Sequence, residues 1–438
     1  MPYAKSSRLS GEKANKIGHL EVVNSDLVNR IINAFEEPQK DSEDLPSVDW
    51  VMLDPSDDVL QTVFCVDGSL QTIQSNSLPR KEMSFIKTAL LTLDQQALNK
   101  IDPDYPHPFR LKKIMEESAL YHSTVFPLKK INLPDMNTYD TVRRIIYESF
   151  LDDSLKAEPM ETLKWLAYEK WTENKNTKSL AFQCPHCEQK IDSLSYNTEI
   201  GVCSHCKKEV YITDMLGFHL DMQDDSIPAT VATSYMLIHE TMLLFTAIRF
   251  FWENKKYSTL NNTLFLKDGP LALHSQYAKL VPRIRNFIVY AKDKGVIIYL
   301  AGQEKTGKFV DYLEILALRS PEKLAYFILN NTFIDKEIRE RSNRTDPYGS
   351  RVNYGNKLFV CNDKYHHIVL SIPTGEYMDT NNIDDLLGAE KIINTVNKLI
   401  SHKHENALLP IQLANGIASL STYPSAQVLK LFASKVID

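Results

Sequence analysis

Apolar residues along this chain fall into short runs that end at turn residues, separated by longer amphipathic stretches. Thr62–Val66 is a compact apolar run that stops at Asp67-Gly68-Ser69, the pattern of a buried strand closing at a turn. Thr263–Leu266 repeats it and also ends at Asp268-Gly269. A third run, Val296–Ala301, follows a helical segment at Leu280–Lys292. Strand, helix, strand, helix, strand is the order of an α/β sheet with parallel members. Ile227–Glu253 is a long apolar helix with Pro228 near its start. Lys357–Cys361 and His366–Ile372 suggest a later hairpin, and Asn382 to Asp438 is largely helical.

These patterns divide the chain into an N-terminal arm (1–45, with a short helix at Leu27–Phe35) and a first core segment (46–75). A helical insertion (76–179), a cysteine-bearing module (180–213) and the remainder of the core (225–438) follow. With 438 residues, 43% of them hydrophobic and 10% aromatic, there is material for a substantial core. No apolar run reaches the ~20 uninterrupted residues of a membrane span. Met1–Lys16 lacks the apolar segment of a secretory signal, so a cytoplasmic location and no membrane partner are expected. The net charge of −6 argues against a surface that grips nucleic acid everywhere. Any DNA contact must be confined to a groove or delivered by a partner.

Four of the six cysteines form two pairs, Cys184-Pro-His-Cys187 and Cys203-Ser-His-Cys206. Two such knuckles bring four thiolates within tetrahedral reach of one Zn²⁺, a closed and therefore structural site. Cys65 and Cys361 lie alone in apolar runs and are expected to be buried thiols. Gly302-Gln-Glu-Lys-Thr-Gly-Lys308 mimics a phosphate loop, but Phe309 stands where Ser or Thr would hold Mg²⁺.

If the strands ending at Asp67 and Asp268 are parallel neighbours ~4.8 Å apart, their carboxylates share one sheet edge. Such a pair suits Mn²⁺ or Mg²⁺ and phosphodiester hydrolysis. Glu240, close to the stripe Leu237, Leu244 and Ile248, is the candidate third carboxylate, with Glu253 its rival. Lys305, at the third strand end, is placed to meet a phosphate, and Glu304 to help hold a metal. Arg110, Lys112 and Lys113, beside Tyr105, His107 and Phe109, suit contact with a DNA backbone and an unpaired base. Lys336, Arg339, Arg341, Arg344 and Arg351 are diluted by acids and read as a solvated face.

Val66-Asp67-Gly68-Ser69-Leu70, Leu266-Lys267-Asp268-Gly269-Pro270-Leu271 and Gly302-Gln303-Glu304-Lys305-Thr306 together resemble the NurA nucleases over roughly 46–75 and 225–438. That resemblance implies an RNase H-like mixed-sheet core with catalytic Asp67, Glu240, Asp268 and Lys305, using Mn²⁺ or Mg²⁺. It also implies a DNA substrate, a HerA-type hexameric ATPase as partner, a homodimer, and work in DNA end processing or anti-phage defence. The cysteine module is an addition to the family pattern. Ala407 and Asn415 stand where archaeal members carry Tyr and His; Asn415 can ligate a hard metal but cannot shuttle a proton. A non-catalytic adaptor with a degenerate nuclease fold is the alternative that this departure favours.

Overall fold

The computed structural model describes residues 22, 24–35, 47–94, 119–173, 178–224, 226–339, 346–401 and 407–437. The chain divides into two units, Met1–Ser47 and Val48–Asp438. In the first, helix α1 (Asp26–Asn33) opens at Ser25, whose hydroxyl accepts from the Val28 amide. The second unit carries everything that follows.

Its frame is a nine-stranded mixed sheet. In chain order, β1 is Val51–Met52, β2 Thr62–Gln74, β3 Glu82–Asp94 and β4 Ala119–Lys129. Helices α2 (Thr138–Phe150) and α3 (Glu158–Ala167) follow, and then two small hairpins: β5 (Phe182–Gln183) with β6 (Lys190–Ile191), and β7 (Ile200–Val202) with β8 (Glu209–Tyr211). Helix α4 (Ala229–Glu253) leads to β9 (Thr263–Asp268), α5 (Val281–Asp293), β10 (Tyr299–Glu304) and α6 (Lys308–Ala317). Strands β11 (Ala325–Ile328), β12 (Asn356–Cys361) and β13 (His367–Ile372) precede α7 (Ala389–Asn397), α8 (Leu409–Ala418) and α9 (Ser425–Ile437). Across the sheet the order is β1-β11-β12-β13-β10-β9-β2-β3-β4. Strands β2, β9 and β10 are parallel to one another, and every other pairing is antiparallel.

The alternation of side chains along the strands sorts the core into two layers. On one face Val66, Phe265 and Leu300 pack with Tyr235, Leu244, Phe245 and Phe287 of α4 and α5. On the other, Cys65, Leu266 and Ala301 pack with Ile392 and Val396 of α7 and Ile411 and Ala414 of α8. Helix α4 is long and apolar enough to cross a membrane by composition, contrary to the expectation that no segment would be. It is 78% buried over its most apolar window because it fills the centre of the first layer.

Three expectations need correction. The segment 76–179 is not helical throughout: β3 and β4 lie in its first half, and among the described residues its α-helices are α2 and α3. Glu82–Asp94 is covered on both faces, so Met83, Ile86, Ala89, Leu90, Leu91 and Leu93 are all buried and no period of two survives to signal a strand. Strand β2 does not stop at Asp67 but runs on to Gln74, with an unbroken register against β3 from Thr62↔Asp94 to Gln74↔Glu82. The cysteine module is not a separate body either: Phe182, Cys184, Cys203 and Val210 belong to the core around α4.

Candidate metal centre on the central strands

Register places the two aspartates side by side. Strand β2 pairs with β9 through Val66↔Lys267, and β9 pairs with β10 through Asp268↔Gln303. Asp67, Asp268 and Gln303 therefore fall in one row, and all three side chains take the face covered by α7 and α8. The two glycines of the Asp-Gly echo have different causes. Gly269 ends β9 with φ of +90°, a conformation that favours glycine. Gly68 has an ordinary strand conformation, but a Cβ there would lie 2.5 Å from Glu240 Oε1 and 2.6 Å from Met236. Its absent side chain is the space that the α4 carboxylate occupies.

Asp67 is 3% exposed. One oxygen accepts from the Gly68 amide at 2.7 Å, and the other, Oδ2, is buried without a hydrogen bond. Burial, then the negative charges of Asp268 and Glu240, raise its carboxyl from 3.8 to about 7, against the opposing pull of Lys305 and the Asn415 amide. Lys305 Nζ lies 2.8 Å from Asp268 Oδ2, with both side chains partly open to solvent. Asn415, carried on α8, is thus brought to Asp67, and Lys305 to Asp268.

Glu240 stands elsewhere. It lies on the α4 face, behind Gly68, and is only 2% exposed. Lys267 Nζ is 3.1 Å from its Oε2. Burial pushes the Glu240 carboxyl up while Lys267 draws it back. Glu240 is close enough for its charge to act on Asp67, but it faces the opposite side of the sheet from the two aspartates. Among the described residues, only the four cysteines gather three or more His, Cys, Asp or Glu ligand atoms within 4.8 Å of one another. Of the three carboxylates expected around one centre, Asp67 and Asp268 are neighbours in one row, and Glu240 lies across the sheet from them. Glu253, the rival, is about half exposed and answers Arg249 at the exit of α4.

Glu304 also departs from the expected role. Its side chain alternates with Gln303 onto the other face and forms an ion pair with buried Lys357 of β12. The phosphate-loop resemblance dissolves for a related reason. Gln303 and Glu304 are strand residues paired to β13, and only three residues separate β10 from α6, too few to wrap a phosphate. Arg110, Lys112 and Lys113 lie outside the described residues. In the second basic group, Lys336, Arg339 and Arg351 each pair with a nearby acid, as a solvated face does.

The four cysteine sulfurs do converge. Cys184 Sγ is 3.7 Å from Cys206 Sγ, and Cys187 Sγ is 3.7 Å from Cys203 Sγ. Four sulfurs held tetrahedrally about 2.3 Å from one Zn²⁺ would be about 3.8 Å apart, so the cluster suits that ion. Glu188 and Lys207, each just after a Cys-x-x-Cys, take left-handed conformations that close the two knuckles. Buried Arg143 of α2 reaches the module by donating from Nη2 to the Glu209 carbonyl at 3.4 Å, and is held in place by Asp214 just beyond the module (Nε at 3.0 Å, Nη2 at 2.7 Å) and by Asp140 (Nη1 at 2.7 Å).

Lys267 and Gln303 are absent from the site expected on sequence grounds. A signal existed for the first: a lysine inside Thr263–Asp268, otherwise apolar up to its closing aspartate, must find a buried partner. Nothing in the sequence marks Gln303, which joins the row only through the register.

No protein-family model and no curated protein matches this chain. Among solved structures it is similar to a crystal structure of NurA with manganese, at 11% identity over 96% of this chain and 95% of that one, with a TM-score of 0.24. A likeness of that size adds nothing to the geometry above.

Proposed function

We propose that this chain is a divalent-metal-dependent deoxyribonuclease whose metal centre is the Asp67–Asp268 row. The observation that carries the reading is the pairing of two acids in one row of parallel neighbours, one of them buried with a carboxyl raised to about 7. Two like charges are costly to hold there unless a cation joins them. Carboxylate oxygens and the Asn415 amide are hard donors, the set preferred by Mn²⁺ and Mg²⁺. When bound, such an ion supplies Lewis acidity to a phosphate oxygen and a more acidic water. Asp67 and Asp268 would hold it, and Asn415 would orient what Asp67 presents. Lys305, partly exposed at the rim, can pass from Asp268 to a phosphate oxygen once a cation takes its place.

An RNase H-like core is part of the proposal. It is supported by the antiparallel run β2–β3–β4 extended by two strands parallel to β2, with one Asp on the first strand and another on a later one. DNA as substrate, a HerA-type hexameric ATPase as partner and a homodimer come from the resemblance in the motifs. The four cysteines would hold a structural Zn²⁺. The adaptor reading is favoured by one observation, the placement of Glu240 away from the two aspartates. Cleavage of linear DNA with Mn²⁺, alone and with the motor, separates the two. Activity that is lost in folded Asp67→Ala and Asp268→Ala supports the nuclease; unchanged cleavage in both variants removes the site.

A further inference from the structure

Lys267 precedes Asp268 on β9, and its side chain takes the opposite face. Its Nζ lies 3.1 Å from Glu240 Oε2 and donates to the Asp268 carbonyl at 3.0 Å. Both side chains of the pair are 2% exposed. The other oxygen of Glu240 fills the place that a Gly68 side chain would take. One helix residue thus touches the backbone behind Asp67, and through Lys267 it holds the backbone of Asp268.

A fully buried Lys–Glu pair is a poor way to gain stability. Its desolvation cost rivals its Coulombic gain, and well-packed apolar residues of similar volume usually do as well or better. Its geometry points to a different use. We propose that Glu240 and Lys267 are a positioning pair, which braces β2 at Gly68 and β9 at Asp268 against α4 from behind the sheet and sets the spacing of the Asp67 and Asp268 carboxylates. Glu240 acts there through Lys267 and Gly68 and does not ligate the metal. This inference rests on the Asp67–Asp268 metal centre proposed above.

The test is Mn²⁺ titration calorimetry on the full-length chain, comparing wild type, Asp268→Asn, Glu240→Gln and the double variant Glu240→Met/Lys267→Met, with a thermal scan of each in metal-free buffer. Glu240→Gln and Asp268→Asn remove the same charge, so their difference isolates ligation. Gln keeps an acceptor for Lys267, so Glu240→Gln should bind Mn²⁺ far better than Asp268→Asn. The double variant leaves the net charge unchanged and keeps the interior apolar. It should melt at or above wild type yet bind Mn²⁺ about 10- to 100-fold more weakly, the usual effect of losing a residue that orients a ligand. Glu240→Gln binding as weakly as Asp268→Asn would make Glu240 a direct ligand. A double variant that binds like wild type would reduce the pair to packing. Failure of the wild type to bind Mn²⁺ would instead remove the metal centre itself.

Discussion

Replacing Asp67 by Asn should stabilise the metal-free protein at neutral and alkaline pH. The carboxyl is raised from 3.8 to about 7, first by burial and then by Asp268 and Glu240. Between about pH 4 and pH 7 the folded chain holds a proton on Asp67 that the unfolded chain has released. Stability therefore falls as pH rises through that window, and the full penalty is present above it. Below about pH 4 both states are protonated and no penalty remains. A rise of that size corresponds to a ceiling of about 4 kcal/mol, and the near-complete burial of Asp67 leaves little for solvent to screen. An asparagine removes the charge and offers Asp268 a donor. For a chain of this size that ceiling is a Tm rise of about 5 °C. Differential scanning calorimetry from pH 4 to pH 8.5 without added divalent ions reads it directly. The variant should match wild type at the acid end, overtake it towards pH 8, and lose the stabilisation that Mn²⁺ gives wild type. An Asp67→Asn chain that melts below wild type at pH 8, or by an offset independent of pH, would show that no such penalty resides on Asp67.

Three further outcomes follow from the same geometry. Lys305→Ala frees Asp268 from its 2.8 Å partner, so Mn²⁺ should bind more tightly while kcat for DNA cleavage falls; calorimetry and a cleavage assay together would expose a change in the same sense for both. Gly68→Ala puts a methyl 2.5 Å from Glu240 Oε1, and overpacking of that kind costs about 1–3 kcal/mol, visible as a lower midpoint in urea unfolding. Cys203→Ala should remove one equivalent of zinc on elemental analysis and loosen the module against α2; zinc content equal to wild type would dismiss the four-sulfur site.

What could be read in the chain, and what could not, follows from how much of each signal is local. The cysteine knuckles were legible because ligand spacing is a local property, and the four sulfurs meet. The parallel strand set was legible because β9 and β10 are short apolar runs bounded by turns. Strand β3 was hidden because burial on both faces erases alternation, and a two-sided strand and a helix then carry similar apolar content; β4 was hidden because apolar Leu120, Tyr121 and Val125 stand at its exposed positions. Asp67 read as a turn residue because Asp-Gly is turn chemistry. The glycine is required instead by a carboxylate arriving from α4, a contact some 170 residues away in the chain. The face taken by Glu240 was equally out of reach, since it depends on how α4 rolls onto the sheet. Lys267 shows the limit most clearly: a buried lysine announces that it has a partner, and only the fold says which.

The metal centre is tested most directly by a crystal of the chain soaked in Mn²⁺ and measured at the manganese absorption edge. An anomalous peak is expected between the carboxylates of Asp67 and Asp268, with Lys305 drawn off Asp268 and Glu240 still on Lys267. A fully soaked crystal with no peak in that row would contradict a metal centre at Asp67 and Asp268.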